Sequence, residues 1–228
     1  LVPSLMAEVV ADLQASTGTP ALVRAAMAHL NLAMVHPFRD GNGRLARILQ
    51  SLVLAREGIL ALEFASIEEY LGGNTQAYYD VLAETGGGAW HPERDARMWI
   101  RFCLTAHLRQ ARTLSQRVEQ SERLWTLLEA EVARVGLPDR TILALFDAAS
   151  GFRVRNSQYQ THAELSDYAG GRDLKRLVEA ELLVPRGEKR GRFYVAHPRL
   201  LGLVGPAHQR TTGTNQDDPF ADSQETLA

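Results

Sequence analysis

The chain has a single cysteine, Cys103, among its 228 residues. One thiol excludes an intrachain disulfide and any multi-cysteine metal site. Its setting, MWIRFCL, is apolar, which predicts a buried, inert thiol and not a nucleophile. Charge of one sign is scarce as well: 25 Lys and Arg stand against 27 Asp and Glu. So small an imbalance argues against a protein that coats nucleic acid by bulk charge. No apolar run is long enough to span a bilayer and no leader peptide is visible, so the expectation is a cytoplasmic protein with no membrane partner. The opening Leu-Val-Pro has no initiator Met and reads as the start of a fragment. Strand-like alternation is missing before Gly136, which predicts an all-α first part. Apolar residues make up 45% of the chain, enough for an ordinary globular core.

The chain is dense in chemistry over one stretch, His36 to Arg47 (HPFRDGNGRLAR). It carries an imidazole, a carboxylate, two glycines, an amide and three arginines. Core packing needs none of these, whereas a phosphate ligand uses most of them. The preceding PALVRAAMAHLNLAMV, residues 20–35, has helical periodicity and should stop before Pro37, whose ring disfavours helical geometry in the residue before it. Asp40-Gly41-Asn42-Gly43 is a turn cluster, and LARILQSLVLARE, residues 45–57, resumes as a helix ending at Gly58. The segment is therefore a helix–loop–helix junction. A new helix N-terminus offers unpaired N–H groups and a positive dipole end to an anion. Gly41 and Gly43 admit close backbone approach, and the Asn42 amide can donate to a phosphate oxygen. Arg44 and Arg47 share a helix face and can grip terminal phosphates bidentately. Asp40 is a hard oxygen ligand for Mg2+, and His36 is suited to take a proton near neutral pH.

This segment resembles the Fic motif, HxFx(D/E)GNGRxxR, and matches it at His36, Phe38, Asp40, Gly41, Asn42, Gly43, Arg44 and Arg47. A helix of the type VPSLMAEVVADL precedes the motif in many Fic proteins, and a Tyr-Tyr pair, here Tyr78-Tyr79, follows it. The likeness covers the first half to two thirds of the chain. It implies transfer of AMP from ATP to a Ser, Thr or Tyr hydroxyl of a protein target, with Mg2+ as cofactor. By the resemblance, His36 is the general base and Asp40 holds the metal. Gly41, Asn42 and Gly43 form the anion hole for the α-phosphate. Arg44 takes the β- and γ-phosphates and Arg47 the γ-phosphate. Phe38 anchors the loop in the core, and Tyr78 and Tyr79 lie against adenine. Doc-type relatives phosphorylate instead and have a basic residue in the glycine segment, so Asp40 and the intact Gly-Asn-Gly favour nucleotidyl transfer. AMP removal, with water as nucleophile, is an alternative on the same site.

Two features of the family are not matched. The β-hairpin flap that aligns target side chains lies upstream of the motif, before position 1. The inhibitory (S/T)xxxE(G/N) helix, whose Glu pairs with the second motif arginine, here Arg47, has no full match. Residues 4–9 and 115–120 come closest, but Val9 and Gln120 stand at the last position. The inhibitor would then come from lost residues or from an antitoxin-like partner chain.

Further along, residues 67–84 read as a helix interrupted at Gly72-Gly73, with Ser66 and Glu69 as a capping box. Residues 93–135 exceed a usual globular helix and predict two, bending near Thr113 to Ser115. Gly136-Leu137-Pro138 marks a boundary, giving a catalytic part over 1–135 and a second part over 136–205, with a polar, disordered tail over 206–228. In the second part, helices are predicted over 139–149, 161–168 and 173–182, with Gly170-Gly171 as a tight turn. Two short strands follow around Arg186 to Arg192. This order resembles a winged helix-turn-helix domain. Arg172, Lys175 and Arg176 would lie on its recognition helix, and Lys189, Arg190 and Arg192 in its wing. DNA contact through these residues, in a nucleotide-sensing regulator, is the alternative function. Asp173, Glu179 and Glu181 dilute the basic face, so a docking or structural module is favoured over DNA binding.

Overall fold

The computed structural model of the chain describes residues 2–15, 18–59 and 66–205, without the side chains of Asp167 and Arg190. The tail expected to be disordered, 206–228, lies outside the described residues. The fold is mainly α-helical, and among the described residues the only sheet is a two-stranded antiparallel one. The chain divides into two compact units with the boundary between Ser115 and Gln116.

The first unit holds α1 (Val2–Gln14), α2 (Ala21–Val35), α3 (Asn42–Arg56), α4 (Glu68–Gly73) and α5 (Thr75–Gly86). It also takes the N-terminal half of α6 (Arg97–Arg134). Helix α2 is buried on two faces because its alanines leave room for neighbours on both sides. Ala25 and Ala28 pack with Val53 and Leu54 of α3. Ala26 and Leu30 pack with Tyr78, Trp99 and Cys103 on the other side. Cys103 is fully buried, and burial pushes its thiol pKa far up, as expected for an inert core residue. The break at Gly72-Gly73 is real and ends α4. Ser66 Oγ accepts from the Glu68 N–H at 3.3 Å, and Glu69 accepts from Gln110 Nε2 at 3.0 Å.

Helix α6 is one continuous helix through residues 113–115 and not the two that were expected. Its later positions Leu124, Leu128 and Val132 recur every fourth residue and enter the core of the second unit. That apolar stripe supports the helix beyond the length usual for a globular protein.

The second unit adds α7 (Thr141–Ala149), α8 (Asn156–His162), α9 (Asp167–Glu179), β1 (Leu183–Arg186), β2 (Phe193–Ala196) and α10 (Pro198–Val204). Residues 161–168 do not form the predicted helix. The helix lies earlier, as α8, and Thr161 Oγ1 bonds the Ser157 carbonyl inside it at 3.0 Å. Gly170-Gly171 is not a turn but part of α9. The reason is steric: a Cβ on Gly170 would stand 2.7 Å from Gln160 Cγ and 2.9 Å from Asn156 Oδ1. Glycine here lets α9 cross α8 closely. The hairpin pairs Leu183 with Ala196 and Arg186 with Phe193, and Val154 bridges Tyr194 to add a third extended segment. Asp173 is fully buried in α9, where it accepts two hydrogen bonds from Arg140, at 2.6 and 3.1 Å, and one from the Tyr159 hydroxyl at 3.2 Å.

Candidate functional site

The junction between α2 and α3 is tighter than the sequence suggests. Helix α2 ends at Val35, and His36 takes the left-handed conformation, φ 50° and ψ 56°, with its N–H on the Leu32 carbonyl. A non-glycine residue at positive φ is held there by its surroundings and stores local strain. Here Pro37 blocks any continuation of the helix. The His36 side chain is exposed, and its Nδ1 lies 3.3 Å from the Ala33 carbonyl. A carbonyl can only accept, so Nδ1 is the donor in this contact.

Helix α3 begins at Asn42, three residues before the expected start. Gly41, at φ 85°, is its N-cap, a conformation glycine adopts without steric cost. The first intrahelical bond runs from the Leu45 N–H to the Gly41 carbonyl at 2.9 Å. The amides of Asn42, Gly43 and Arg44 therefore have no acceptor within the helix and point out of its positive end. The Asp40 carboxylate accepts from the Gly41 N–H at 2.6 Å.

Two side-chain expectations need correction. The Asn42 amide is not available for a phosphate. Asn42 is 4% exposed, its Nδ2 donates to the Phe38 carbonyl at 2.6 Å, and its Oδ1 accepts from the Phe38 N–H at 3.0 Å. It staples the loop, which satisfies both peptide groups of Phe38. Phe38 is then not the core anchor: the residue is 54% exposed.

The arginines differ in environment. Arg44 is exposed, 3.6 Å from the equally exposed Asp40 carboxylate, a contact that water screens. Arg47 is largely covered and donates its Nε–H to Glu68 of α4. Burial works against its charge, but the hydrogen bond and negative charge of Glu68 and the Tyr78 hydroxyl outweigh it, and its pKa is raised. One Arg47 terminal nitrogen would be 3.5 Å from a Cβ on Gly43, so the guanidinium lies along the glycine loop. Glu68 was missed in the sequence because nothing in its spacing ties it to Arg47, 21 residues away. Val9, at the end of the nearest inhibitor-like segment, is a core residue at 1% exposure.

Tyr78 departs from its expected place. It is 3% exposed, and its hydroxyl is 3.1 Å from His29 Nε2, so it offers no open face to an adenine ring. Tyr79 is 57% exposed, its ring 4.9 Å from that of Tyr78. Among the described residues no cluster of three His, Cys, Asp or Glu could hold a metal ion, and Asp40 is a single exposed carboxylate. A lone exposed carboxylate suits Mg2+ that arrives with phosphate oxygens and water, which complete its shell.

In the second unit, Arg172 and Lys175 are exposed on α9, and Lys189 and Arg192 are exposed near the hairpin turn. Arg172 lies over the Tyr168 ring at 5.9 Å, and Lys175 is 3.7 Å from Glu179. Arg176 is not a free recognition cation. It donates to the Gly136 carbonyl at 2.9 Å, which ties α9 to the end of α6. The Arg190 side chain lies outside the described residues.

An exposed imidazole, a carboxylate, a helix N-terminus and two arginines around one glycine loop define a site suited to phosphate chemistry. Residues 1–54 match the model of the Fic/DOC family. It is 60% identical over 35 residues to protein adenylyltransferase fic-1 of Caenorhabditis briggsae, covering 15% of this chain and 7% of that protein. It is 31% identical over 77 residues to a probable protein adenylyltransferase of Aquifex aeolicus, covering 34% of this chain and 24% of that protein. The chain thus spans at most about a quarter of the length of these relatives. A Fic family protein from Desulfovibrio desulfuricans aligns at a TM-score of 0.45 and 25% identity, over 86% of this chain and 55% of that one. No helix among the described residues is long and apolar enough to cross a membrane.

Proposed function

We propose that the protein transfers AMP from ATP to a hydroxyl of a protein target. The observation that supports this best is the juxtaposition at the glycine loop. The exposed His36 imidazole shares one short loop with a helix end whose first three amides lack an intrahelical acceptor, and with two arginines. In this reaction His36 Nε2 takes the proton of the target hydroxyl. The oxygen forms a bond to the α-phosphorus, the bond to the bridging oxygen breaks, and pyrophosphate leaves. The amides of Asn42, Gly43 and Arg44 stabilise the charge that builds on the α-phosphate oxygens. Arg44 and Arg47 hold the phosphates that depart. Mg2+, held by Asp40, supplies further neutralisation when bound with ATP.

Incubation with ATP labelled at the α-phosphate is expected to mark protein, and His36→Ala is expected to abolish the mark. Label transferred only from the γ-position would mean phosphorylation and overturn this function. Release of AMP from a pre-modified protein, with no transfer from ATP, would favour water as the nucleophile at the same site.

A further inference from the structure

The sheet of the second unit turns one face to the core and the other to solvent. The register pairs Leu183 with Ala196 and Pro185 with Tyr194. Leu183 is in the core, and Tyr194 and Ala196 pack against it. Side chains alternate along a strand, so the pairs Val184–Val195 and Arg186–Phe193 stand on the opposite face. The Val154–Tyr194 bridge, closed by hydrogen bonds of 2.8 and 2.9 Å, brings residues 153–155 against β2. Val154 is a core residue, so Arg153 and Arg155 join the solvent face. The Arg153 guanidinium lies over the Phe193 ring, its central carbon 4.8 Å from the ring centroid. Phe152, next to Arg153, is 65% exposed.

The cations of this face have no carboxylate partner. Arg153, Arg155, Arg186, Lys189 and Arg192 are exposed, and among the described residues none of them makes an ion pair. Glu188 is the one acidic residue in 152–155 and 183–196. Helix α9 differs: its Lys175 stands 3.7 Å from Glu179, and its Arg176 is held by the Gly136 carbonyl. Unpaired cations favour a polyanion, whose counterions they release. Planarity narrows the choice. A guanidinium stacked on a ring leaves its outer face open to another flat group, and Phe152 offers a ring of its own. An acidic peptide brings charge without flat rings, and a duplex keeps its base faces stacked. A single strand brings phosphates and open base faces together. RNA presents them in its loops and ends, whereas the bases of DNA are held in a duplex.

We propose that this sheet face binds single-stranded RNA. Bases stack on Phe152 and on the outer face of Arg153. Arg155 and Arg186, on the strands either side of Phe193, take the phosphates. The site lies within the second unit and does not depend on nucleotide transfer. It uses the sheet and not α9, the helix on which sequence placed the nucleic-acid contacts.

The test is fluorescence anisotropy of a labelled twelve-nucleotide oligouridylate with the full chain, over a series of salt concentrations. Binding is expected to weaken with salt at a log–log slope of about −0.7 for each phosphate held. Arg155→Gln with Arg186→Gln should weaken binding about tenfold or more and flatten that slope by about 1.4. Phe152→Ala should weaken it about fivefold or more, as for one lost base stack, at an unchanged slope. Arg153→Lys keeps the charge but not the plane, and should weaken binding about threefold at an unchanged slope. Arg172→Gln on α9 should have no effect. All these side chains are exposed, and unaltered circular dichroism shows that each variant keeps its fold. No binding at low salt would overturn the proposal, as would losses from Arg172→Gln equal to those from the sheet variants. A duplex of equal length bound more tightly would mean a groove reader, and oligothymidylate bound more tightly would mean DNA. Equal competition by polyglutamate would mean a surface for acidic proteins. Binding seen only after removal of residues 206–228 would make that acidic tail, with Asp217, Asp218, Asp222 and Glu225, the occupant. Each of these outcomes also overturns the proposal.

Discussion

At the scale of single residues, two histidines of one helix, His29 within α2 and His36 at its C-cap, have opposite fates. His36 is exposed at a strained left-handed position at the end of α2. His29 is sealed in the core, and burial pulls its pKa from 6.5 to about 4. The sign of the second shift sets a pH dependence. The unfolded chain binds a proton at His29 below pH 6.5, whereas the folded chain does so only near 4. The stability that His29 contributes by staying neutral is present above about pH 6.5 and is lost as pH falls toward 4. A shift of this size corresponds to a loss on the order of 3 kcal/mol across that window. Denaturant titrations at pH 7 and pH 4.5 are expected to show it, and His29→Gln should flatten the difference. Both roles belong to one residue type, so only the tertiary surroundings separate them.

At the scale of elements, the N-terminus of α3 carries the chemistry. Gly41 at φ 85° sets the direction in which the first three amides point. Any other residue there must adopt a conformation costing roughly 1–2 kcal/mol. Gly41→Ala is therefore expected to lower stability by about that amount and to weaken ATP binding as well. Parallel unfolding and calorimetric titrations check the two effects, and lost stability with unchanged ATP affinity would remove α3 from the binding role. The loop and its helices were legible in sequence because glycines and Pro37 punctuate them strongly. The fate of Asn42 was not, since an amide can serve a ligand or a backbone, and Phe38 decides which. Gly170-Gly171 misled in the other direction: the pair reads as a turn, yet α8 needs a surface without a side chain at Gly170.

For the whole molecule, each compact unit has its own core. Calorimetry is expected to resolve two transitions. ATP with Mg2+ at about a hundred times its Kd should raise only one, by roughly 2.7 kcal/mol. Arg140→Ala should lower only the other, by about 3 kcal/mol, because it strands the buried Asp173 carboxylate. A single transition that responds to both would mean the units unfold together. The sequence by itself determined the mainly helical class, the helix–loop–helix junction and the residues of His36 to Arg47, because periodicity, turn residues and charge type act locally. Only the tertiary structure decided that Glu68 pairs with Arg47, that Asn42 closes the loop, and that α6 runs unbroken from Arg97 to Arg134. Those outcomes depend on contacts between residues far apart in the chain, where hydrogen-bond satisfaction and packing prevail over local preference.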